Sequence, residues 1–142
     1  LGHGDDASSS VPRLIRGLLG RRVCAISSVW DHSAALTDGG LVFSWGLGMC
    51  GQLGHGEEEE SVSAPKQVEG LAATKVVAIA AGAHHCFAVA SDGCLFGWGI
   101  GSTTEDDRVD TLGLKLEGHQ CLPVQYDGLR VRRPFLARTR SA

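Results

Sequence analysis

The stretch Asp38-Gly39-Gly40-Leu41-Val42-Phe43-Ser44-Trp45-Gly46 is followed later in the chain by a second copy, Asp92-Gly93-Cys94-Leu95-Phe96-Gly97-Trp98-Gly99. The tryptophans of the two copies are 53 positions apart. Both copies predict a glycine turn followed by a short strand, because Asp and Gly favour turn conformations. In such a strand the large aromatic side chains lie on one face, and the small residues opposite let another sheet approach closely.

The repetition extends upstream of the tryptophans with the same spacing of 53 residues. Residues 1–4 also match residues 53–56 at a spacing of 52, and a degraded third copy occupies residues 112–129. Internal periods of about 20–50 residues are typical of solenoids and propellers, in which one unit cannot bury its apolar face alone. The matched upstream positions are Pro12 with Pro65, residues 23–26 with 76–79, His32 with His85, and Leu36 with Val89.

Four short strands are predicted in each unit, which is the number found in a propeller blade. Residues 72–81 are rich in alanine and have helical propensity, but the matching residues 19–28 form helices poorly, so a strand is predicted in both copies. The predicted strands cover residues 12–15, 23–27, 34–37 and 42–45 in the first unit, and 66–68, 76–80, 87–90 and 95–98 in the second.

We therefore expect an all-β fold, an incomplete β-propeller of four-stranded blades with about 2.7 repeats of 53 residues. The repeats cover residues 1–129, with 1–46 and 53–99 the clearest matched segments, and residues 130–142 are expected to be a disordered basic tail. The smallest ordinary propellers have about four blades. The chain is therefore expected to be a fragment of a larger propeller that associates or packs loosely when expressed alone, since blade faces and edge strands would stay uncovered.

The cysteines and the hydropathy indicate a protein of the cytoplasm or nucleus. Five cysteines occur without a C-x-x-C spacing, so neither a disulfide framework nor a zinc ribbon is predicted, and reduced thiols are expected. No apolar run reaches the roughly 18 residues of a membrane span, so no membrane contact is expected.

The charge is distributed unevenly along the chain. Residues 130–142 contain five arginines and no acidic residue, whereas the remaining chain has eight basic and sixteen acidic residues. An acidic body repels phosphate backbones, so direct nucleic-acid binding by the repeats is not expected.

No enzyme chemistry, cofactor or metal is predicted. Residues 46–51 satisfy the pattern G-x-G-x-x-G, but four glutamates follow at 57–60, and a dinucleotide site would need a helix N-terminus there. His84 and His85 are adjacent on a predicted strand, so they point to opposite faces and cannot chelate one metal ion. No catalytic residues are assigned.

Residues 23–54 carry several separated motifs in a fixed order. They comprise Val23 to Ile26, His32, the Ala-Leu-Thr step before the glycine turn, Phe43 to Gly46, and Gly51-Gln52-Leu53-Gly54. This order resembles the regulator of chromosome condensation repeat. The resemblance covers residues 1–129 and implies a seven-bladed β-propeller with four strands per blade. Members of that family include an exchange factor for a small GTPase, a plant photoreceptor and domains attached to ubiquitin ligases.

The chain departs from the family pattern at several positions. Gly51-Gln52-Leu53-Gly54 has only a degraded second copy at residues 110–113, and the pattern fails after Leu129, with Pro134 where a central strand would begin. A function like that of the plant photoreceptor would require a second tryptophan at the position that Ala83 occupies. That function is therefore disfavoured.

The resemblance implies that the positions just before the repeat histidines lie in a loop on one face of the propeller. In this chain they are Trp30 and Asp31 before His32, and Ala83 and His84 before His85. Trp30, Asp31 and His84 are therefore the candidate partner-binding residues, with a capping role for Trp30 as the alternative. A structural role is expected for the residues that recur in both repeats, namely His32, His85, Trp45, Trp98, Gly46 and Gly99.

Two function classes follow from the resemblance. The first is a protein-interaction module that belongs to a larger propeller and has no chemistry of its own. The second is a guanine nucleotide exchange factor, which would accelerate GDP release from a small GTPase. The expected partner is a protein, with a small GTPase and a chromatin protein as candidates.

Overall fold

The computed structural model describes residues 1–56, 60–100, 112–113 and 118–132. Eight strands and two single-turn 3-10 helices, Arg16–Leu18 and Glu69–Leu71, make up the regular structure of this part of the chain. The strands are β1 (Val23–Val29), β2 (His32–Thr37), β3 (Val42–Leu47), β4 (Ser61–Gln67), β5 (Val76–Ala81), β6 (His85–Ala90), β7 (Cys94–Ile100) and β8 (His119–Arg130).

The strands form two antiparallel sheets of four strands each, in the orders β1-β2-β3-β4 and β5-β6-β7-β8. Each sheet is a meander of four consecutive strands, which confirms the predicted propeller blades. The two glycine turns join β2 to β3 and β6 to β7. The strand β5 occupies the alanine-rich segment whose helical propensity is overridden, because Val76 and Ile79 pack into the core between the sheets.

The structure corrects where each blade begins. We expected residues 66–68 to open the second unit, but β4 pairs with β3, with Phe43 opposite Gln67 and Ser44 opposite Lys66. The segment after the long loop therefore completes the preceding blade. By the same rule β8, which contains most of the degraded third copy, completes the second blade by pairing with β7.

The predicted edge strand at residues 12–15 is absent. In the next repeat the residues equivalent to 12–15 lie in β4, which pairs with the preceding strand β3. Residues 1–11 contain no strand with which residues 12–15 could pair in the same way. A strand needs a hydrogen-bonded neighbour, so local propensity alone does not form one. Of the expected disordered tail, Arg130 lies at the end of β8, whereas residues 133–142, including Pro134, lie outside the described residues.

The main core lies between the two sheets. Leu36 and Val42 of the first sheet pack against Cys86, Ala88 and Trp98 of the second. A smaller core lies on the other face of the first sheet, where Phe43 and Trp45 pack with Ile15 and Leu18. Large and small side chains thus lie on opposite faces of the aromatic strands, as predicted. The face of the first blade that carries the smaller side chains packs on the aromatic face of the second blade.

A loop of the first repeat covers the tryptophan of the second blade. The indole N–H of Trp98 donates to the Gln52 carbonyl at 2.9 Å. Gly54, at φ +76°, lies so close that a Cβ there would be 2.8 Å from the indole nitrogen. Gly2 makes the same approach to Trp45, with a Cβ position 2.7 Å from the indole nitrogen. The repeated Leu-Gly-His-Gly segment therefore needs its first glycine for this close contact.

Candidate partner-binding site

Two neighbouring turns, one from each blade, form the candidate site. Trp30 and Asp31 form the turn between β1 and β2, and residues 82–84 form the turn between β5 and β6. Both turns lie at the same end of the two sheets, because the blades repeat the same order of strands. The sites predicted from the positions before the repeat histidines are therefore adjacent in space.

Trp30 is held in an unusual backbone conformation with its side chain in solvent. Its φ is +54°, the only positive value of a non-glycine residue in the described part of the chain, and its side chain is 77% exposed. A large aromatic residue in the left-handed region is strained and needs support from its surroundings. That support comes from the next residue, since the Asp31 carbonyl accepts a hydrogen bond from the Leu47 N–H at 2.8 Å.

Gly46 and Gly99 let the backbone approach these turns. Gly46, at φ +106°, lies against Asp31, and a Cβ there would collide with the Asp31 carbonyl and lie 2.7 Å from the His32 Cα. Gly99, at φ +108°, lies against His84 in the same way, and the His84 carbonyl accepts from the Ile100 N–H at 2.9 Å. The repeated glycine after each tryptophan thus fixes the carbonyl of a candidate site residue.

The structure brings Trp30 and His84 together across the boundary between the blades. Their ring centroids are 5.7 Å apart with an interplanar angle of 74°, an edge-to-face contact. Such aromatic contacts contribute about 0.5–1.5 kcal/mol beyond burial. The two residues are 54 positions apart, and the chain between them includes most of the first blade, so only the packing of one blade on the other makes this pair.

Asp31, the residue after Trp30, lines a surface groove of the first blade. The groove has a volume of about 600 Å³, and Asp5, Asp6, Leu47 and Val62 are among its other lining residues. Asp5 and Asp6 were not predicted as site residues. Their only sequence signal was the acidic character of the loop at residues 5–10, which gave no indication of where that loop would lie.

His32 and His85 lie beneath the turns, at equivalent places in the two blades. His32 is 2% exposed, and its Nε2 lies 3.4 Å from the Cys86 sulfur in the second blade. His85 is half-buried, covers Gly82 and contacts the Phe87 ring edge-to-face at 5.4 Å. The two sheets are also joined by the Ser27 hydroxyl, which accepts from the Ala81 N–H at 2.9 Å and was not predicted.

The described residues contain no cluster of three or more His, Cys, Asp or Glu side chains arranged to hold a metal ion. Among these residues there is also no helix of the length and apolarity that a bilayer span requires.

Comparison with known proteins decides the family. The profile of the regulator of chromosome condensation (RCC1) repeat matches residues 1–36 and 39–89, and a second profile of this repeat matches residues 23–52. The chain belongs to the RCC1 repeat family. The RCC1 repeat therefore accounts for the spacing of 53 residues and for the four-stranded blades.

Several curated proteins with RCC1 repeats are similar to the chain. It is 39% identical over 127 residues to the human E3 ubiquitin-protein ligase HERC2, and 38% identical over 115 residues to the ultraviolet-B receptor UVR8 of Arabidopsis thaliana. These alignments include 84% and 79% of this chain. The chain spans 3% of the length of HERC2 and 26% of the length of UVR8.

Two solved structures share the fold of this chain. Human WBSCR16 matches with a TM-score of 0.65 and 32% identity, covering 76% of this chain and 26% of that protein. Prp20p of Saccharomyces cerevisiae matches with a TM-score of 0.61 and 25% identity, covering 75% of this chain and 26% of that protein. Both agree with two consecutive blades of an RCC1 propeller.

The histidines of the RCC1 repeats predict a pH dependence of stability. Burial lowers the pKa of His32 below its ordinary value of 6.5, and nearby His84 and His85 lower it further against a smaller opposing effect of Asp31. The unfolded chain therefore binds the proton more tightly than the folded chain. Stability should be full above about pH 6.5 and should decrease as the pH falls toward the folded-state pKa.

Urea unfolding at a series of pH values between about 7 and 5 measures this dependence. In His32→Gln the slope of unfolding free energy against pH should be smaller than in the wild type. His85→Gln serves as a comparison: the pKa of His85 is lowered in the same direction, but His85 is less buried, so its loss should reduce the slope less than the loss of His32 does. An unchanged slope in His32→Gln would show that His32 does not titrate on unfolding in this range.

Proposed function

We propose that the chain is a protein-interaction module of the RCC1 repeat type whose partner-binding face comprises Trp30, Asp31 and His84. The module is assigned to residues 1–129, and the basic segment 130–142 is left outside it. The observation that supports the proposal is the exposed Trp30 side chain, which lies on His84 at the junction of two blades.

The geometry of Trp30 favours binding to another protein. An exposed indole leaves a large apolar area in water, and tryptophan is enriched among the residues that dominate binding energies at interfaces. The left-handed backbone and the His84 contact limit the freedom of the ring before binding. Less conformational entropy is then lost when a partner covers it.

The charge beside Trp30 favours a basic partner surface. Three acidic residues, Asp5, Asp6 and Asp31, line one groove, and Asp31 directly follows Trp30 in the chain. The Asp5 carboxylate also pairs with Arg13 at 3.6 Å, which leaves Asp6 and Asp31 as the main source of negative charge. A Lys or Arg side chain of a partner that enters this groove would be attracted by the carboxylates. His32, His85, Trp45, Trp98, Gly46 and Gly99 are proposed to support this face by holding the blades together, without contacting the partner.

The proposal predicts that Asp31→Ala, His84→Ala and Trp30→Ala each weaken partner binding. Asp31→Ala should leave unfolding by urea nearly unchanged, and the other two variants should lose no more stability than the about 0.5–1.5 kcal/mol of the ring contact. The partner is first identified by affinity capture with the intact chain, and its affinity for each variant is then measured by calorimetric titration. For Trp30→Ala, a loss of about 2 kcal/mol or more is expected if the indole is a central anchor of the interface.

Asp38→Ala is the matched control for Asp31→Ala. It removes the same charge from an exposed turn at the opposite end of the first sheet, where the Asp38 carboxylate forms a surface ion pair with Arg22 at 3.4 Å. Its affinity for the partner should equal that of the wild type. Wild-type affinity in an Asp31→Ala, His84→Ala double variant would exclude this face as the binding site.

Guanine nucleotide exchange is the second candidate function. The structurally similar Prp20p has binding properties to Gsp1p and histones, which favours a small GTPase or a chromatin protein as the partner of this chain as well. Stopped-flow measurement of fluorescent GDP release from a panel of small GTPases tests this function. Accelerated GDP release would favour exchange activity. Binding of a GTPase without acceleration would support only the interaction module.

A further inference from the structure

A second groove of the chain, with a volume of about 500 Å³, has a basic lining. His3, Arg13 and Arg16 line it, together with the apolar side chain of Leu14. The Leu14 side chain is 72% exposed although it is large and apolar. The groove therefore offers a ligand both positive charge and apolar area.

The positive charge of this groove is only partly neutralised by the chain itself. Arg13 pairs with Asp5 at 3.6 Å, and both side chains remain nearly half exposed. Within the described ranges no carboxylate forms an ion pair with Arg16, which is exposed. A guanidinium in this state can bind a carboxylate through two parallel hydrogen bonds. Arg16 is therefore the main candidate to hold an anionic group of a ligand.

The basic and apolar character of the groove is specific to the first repeat. At the spacing of 53 residues, Leu14 corresponds to Gln67 and Arg16 corresponds to Glu69. The two short 3-10 helices that begin at Arg16 and Glu69 match each other, so the local fold does not require arginine at this position. Residues that the fold does not require, and that change the charge of a surface, are candidates for binding.

The main chain beside the groove has the conformation of a strand without a neighbour. Ile15 is extended, with φ −79° and ψ 100°, and its equivalent Val68 has nearly the same angles of −79° and 91°. Val68 directly follows β4, which pairs with β3. In the described part of the chain, the main-chain N–H and C=O groups of Arg13 and Leu14 form no hydrogen bond. This segment can therefore accept an added strand.

We propose that the groove lined by His3, Arg13, Leu14 and Arg16 binds an extended acidic segment of a partner protein. The segment adds beside residues 12–15 through main-chain hydrogen bonds, places a carboxylate on Arg16, and covers Leu14 with an apolar side chain. Neighbouring side chains of an extended segment point to opposite faces, so alternating acidic and apolar residues supply both contacts.

An acidic peptide fits this groove better than a nucleic acid or a membrane does. Nucleic-acid binding depends on many simultaneous phosphate contacts, whereas the groove has two arginines, one of them already paired. Anionic membranes attract clusters of about four to eight Lys or Arg residues. The net charge of −3 also opposes the approach of large polyanions. A short acidic segment needs only one or two carboxylate contacts.

The basic groove is separate from the proposed partner-binding face. The groove that contains Asp31 is acidic, and the two grooves share no lining residue in the described part of the chain. A basic ligand surface is expected at one groove and an acidic segment at the other. The inference about the basic groove therefore goes beyond the proposed function and does not depend on it.

The test titrates a fluorescently labelled peptide of alternating glutamate and valine with the intact chain and follows the fluorescence anisotropy. We expect saturable binding that weakens as salt is added, and a loss of affinity of about tenfold or more in Arg16→Glu and in Leu14→Gln combined with Arg16→Glu. Amide hydrogen exchange at Arg13 and Leu14 should slow when the peptide is bound. Arg22→Gln, which removes an exposed arginine outside the groove, and Trp30→Ala are the controls that should bind the peptide as the wild type does.

Several results would overturn the proposal. They are an absence of saturable binding, equal affinity for a peptide with glutamine in place of glutamate, wild-type affinity in Arg16→Glu, and unchanged exchange at Arg13 and Leu14. Tighter binding of heparin, of phosphatidylserine vesicles, or of a peptide with the β3 sequence 41–47 would assign the groove to another occupant. The substituted residues occur at the equivalent positions of the second repeat, so the variants should fold, and circular dichroism checks this. Should a variant unfold, the glutamine peptide and the exchange measurement on the wild type still decide the outcome.

Discussion

Replacement of Trp98 by alanine is expected to destabilise the chain by about 3–5 kcal/mol, the range for removing a large aromatic side chain from a core. Trp98 is 1% exposed and packs between the two sheets against the first blade. The substitution also leaves the Gln52 carbonyl without its indole donor, and Gly54 without the ring it packs on. Gln52 is itself buried, so water cannot readily replace the lost hydrogen bond.

Urea unfolding followed by far-ultraviolet circular dichroism measures this loss without depending on tryptophan fluorescence. Trp45→Ala should also fall within about 3–5 kcal/mol, because Trp45 is 5% exposed and is covered by Gly2 in the equivalent way. Trp98→Phe is the conservative control, which keeps an aromatic ring and should lose much less. A loss below about 1 kcal/mol in both alanine variants would show that the tryptophans are not core residues.

Gly46→Ala and Gly99→Ala are expected to give the second large effect, a loss of at least about 2 kcal/mol each. The φ values of +106° and +108° are unfavourable for any residue with a Cβ, and the added methyl group would collide with the carbonyl of Asp31 or His84. Backbone atoms cannot move aside as a flexible side chain can. Relief of the collision would require β2 and β3, or β6 and β7, to separate.

Gly39→Ala provides the matched control for these two variants. Gly39 is exposed in the turn before β3, its φ is not positive, and a Cβ there would meet only the Thr37 hydroxyl at 3.8 Å. Its stability should change by no more than about 0.5 kcal/mol. If all three alanine variants were equally stable in urea, the close approach at Gly46 and Gly99 would not be a requirement of the fold.

Gly46→Ala also shows whether partner affinity depends on the fold around the candidate site. Movement of the Asp31 carbonyl should release the turn that holds Trp30, so partner affinity should fall together with stability. Trp30→Ala, by contrast, should reduce affinity while costing no more stability than its contact with His84 provides. The two variants therefore distinguish a residue that supports the partner-binding face from one that contacts the partner.

The blades could be predicted because their signals are local. Large and small residues that alternate with a period of two after a glycine turn are sufficient to identify β3 and β7. The spacing of 53 residues supports each strand by its copy in the other repeat. The positions of Gly46 and Gly99 after each tryptophan were also visible in this way. The sequence did not show that β4 belongs to the preceding blade, because strand pairing depends on neighbours that propensity does not specify.

The sequence by itself thus determined the family, the four-stranded blades, and the candidate residues Trp30, Asp31 and His84 as members of equivalent turns. Only the tertiary structure decided that Trp30 touches His84 and that Asp5 and Asp6 line one groove with Asp31. Repeat patterns describe what each unit shares with the next. These residues differ between units. The Trp30–His84 contact exists because one blade packs on the other, and the acidic groove exists because the N-terminal segment folds against the first blade.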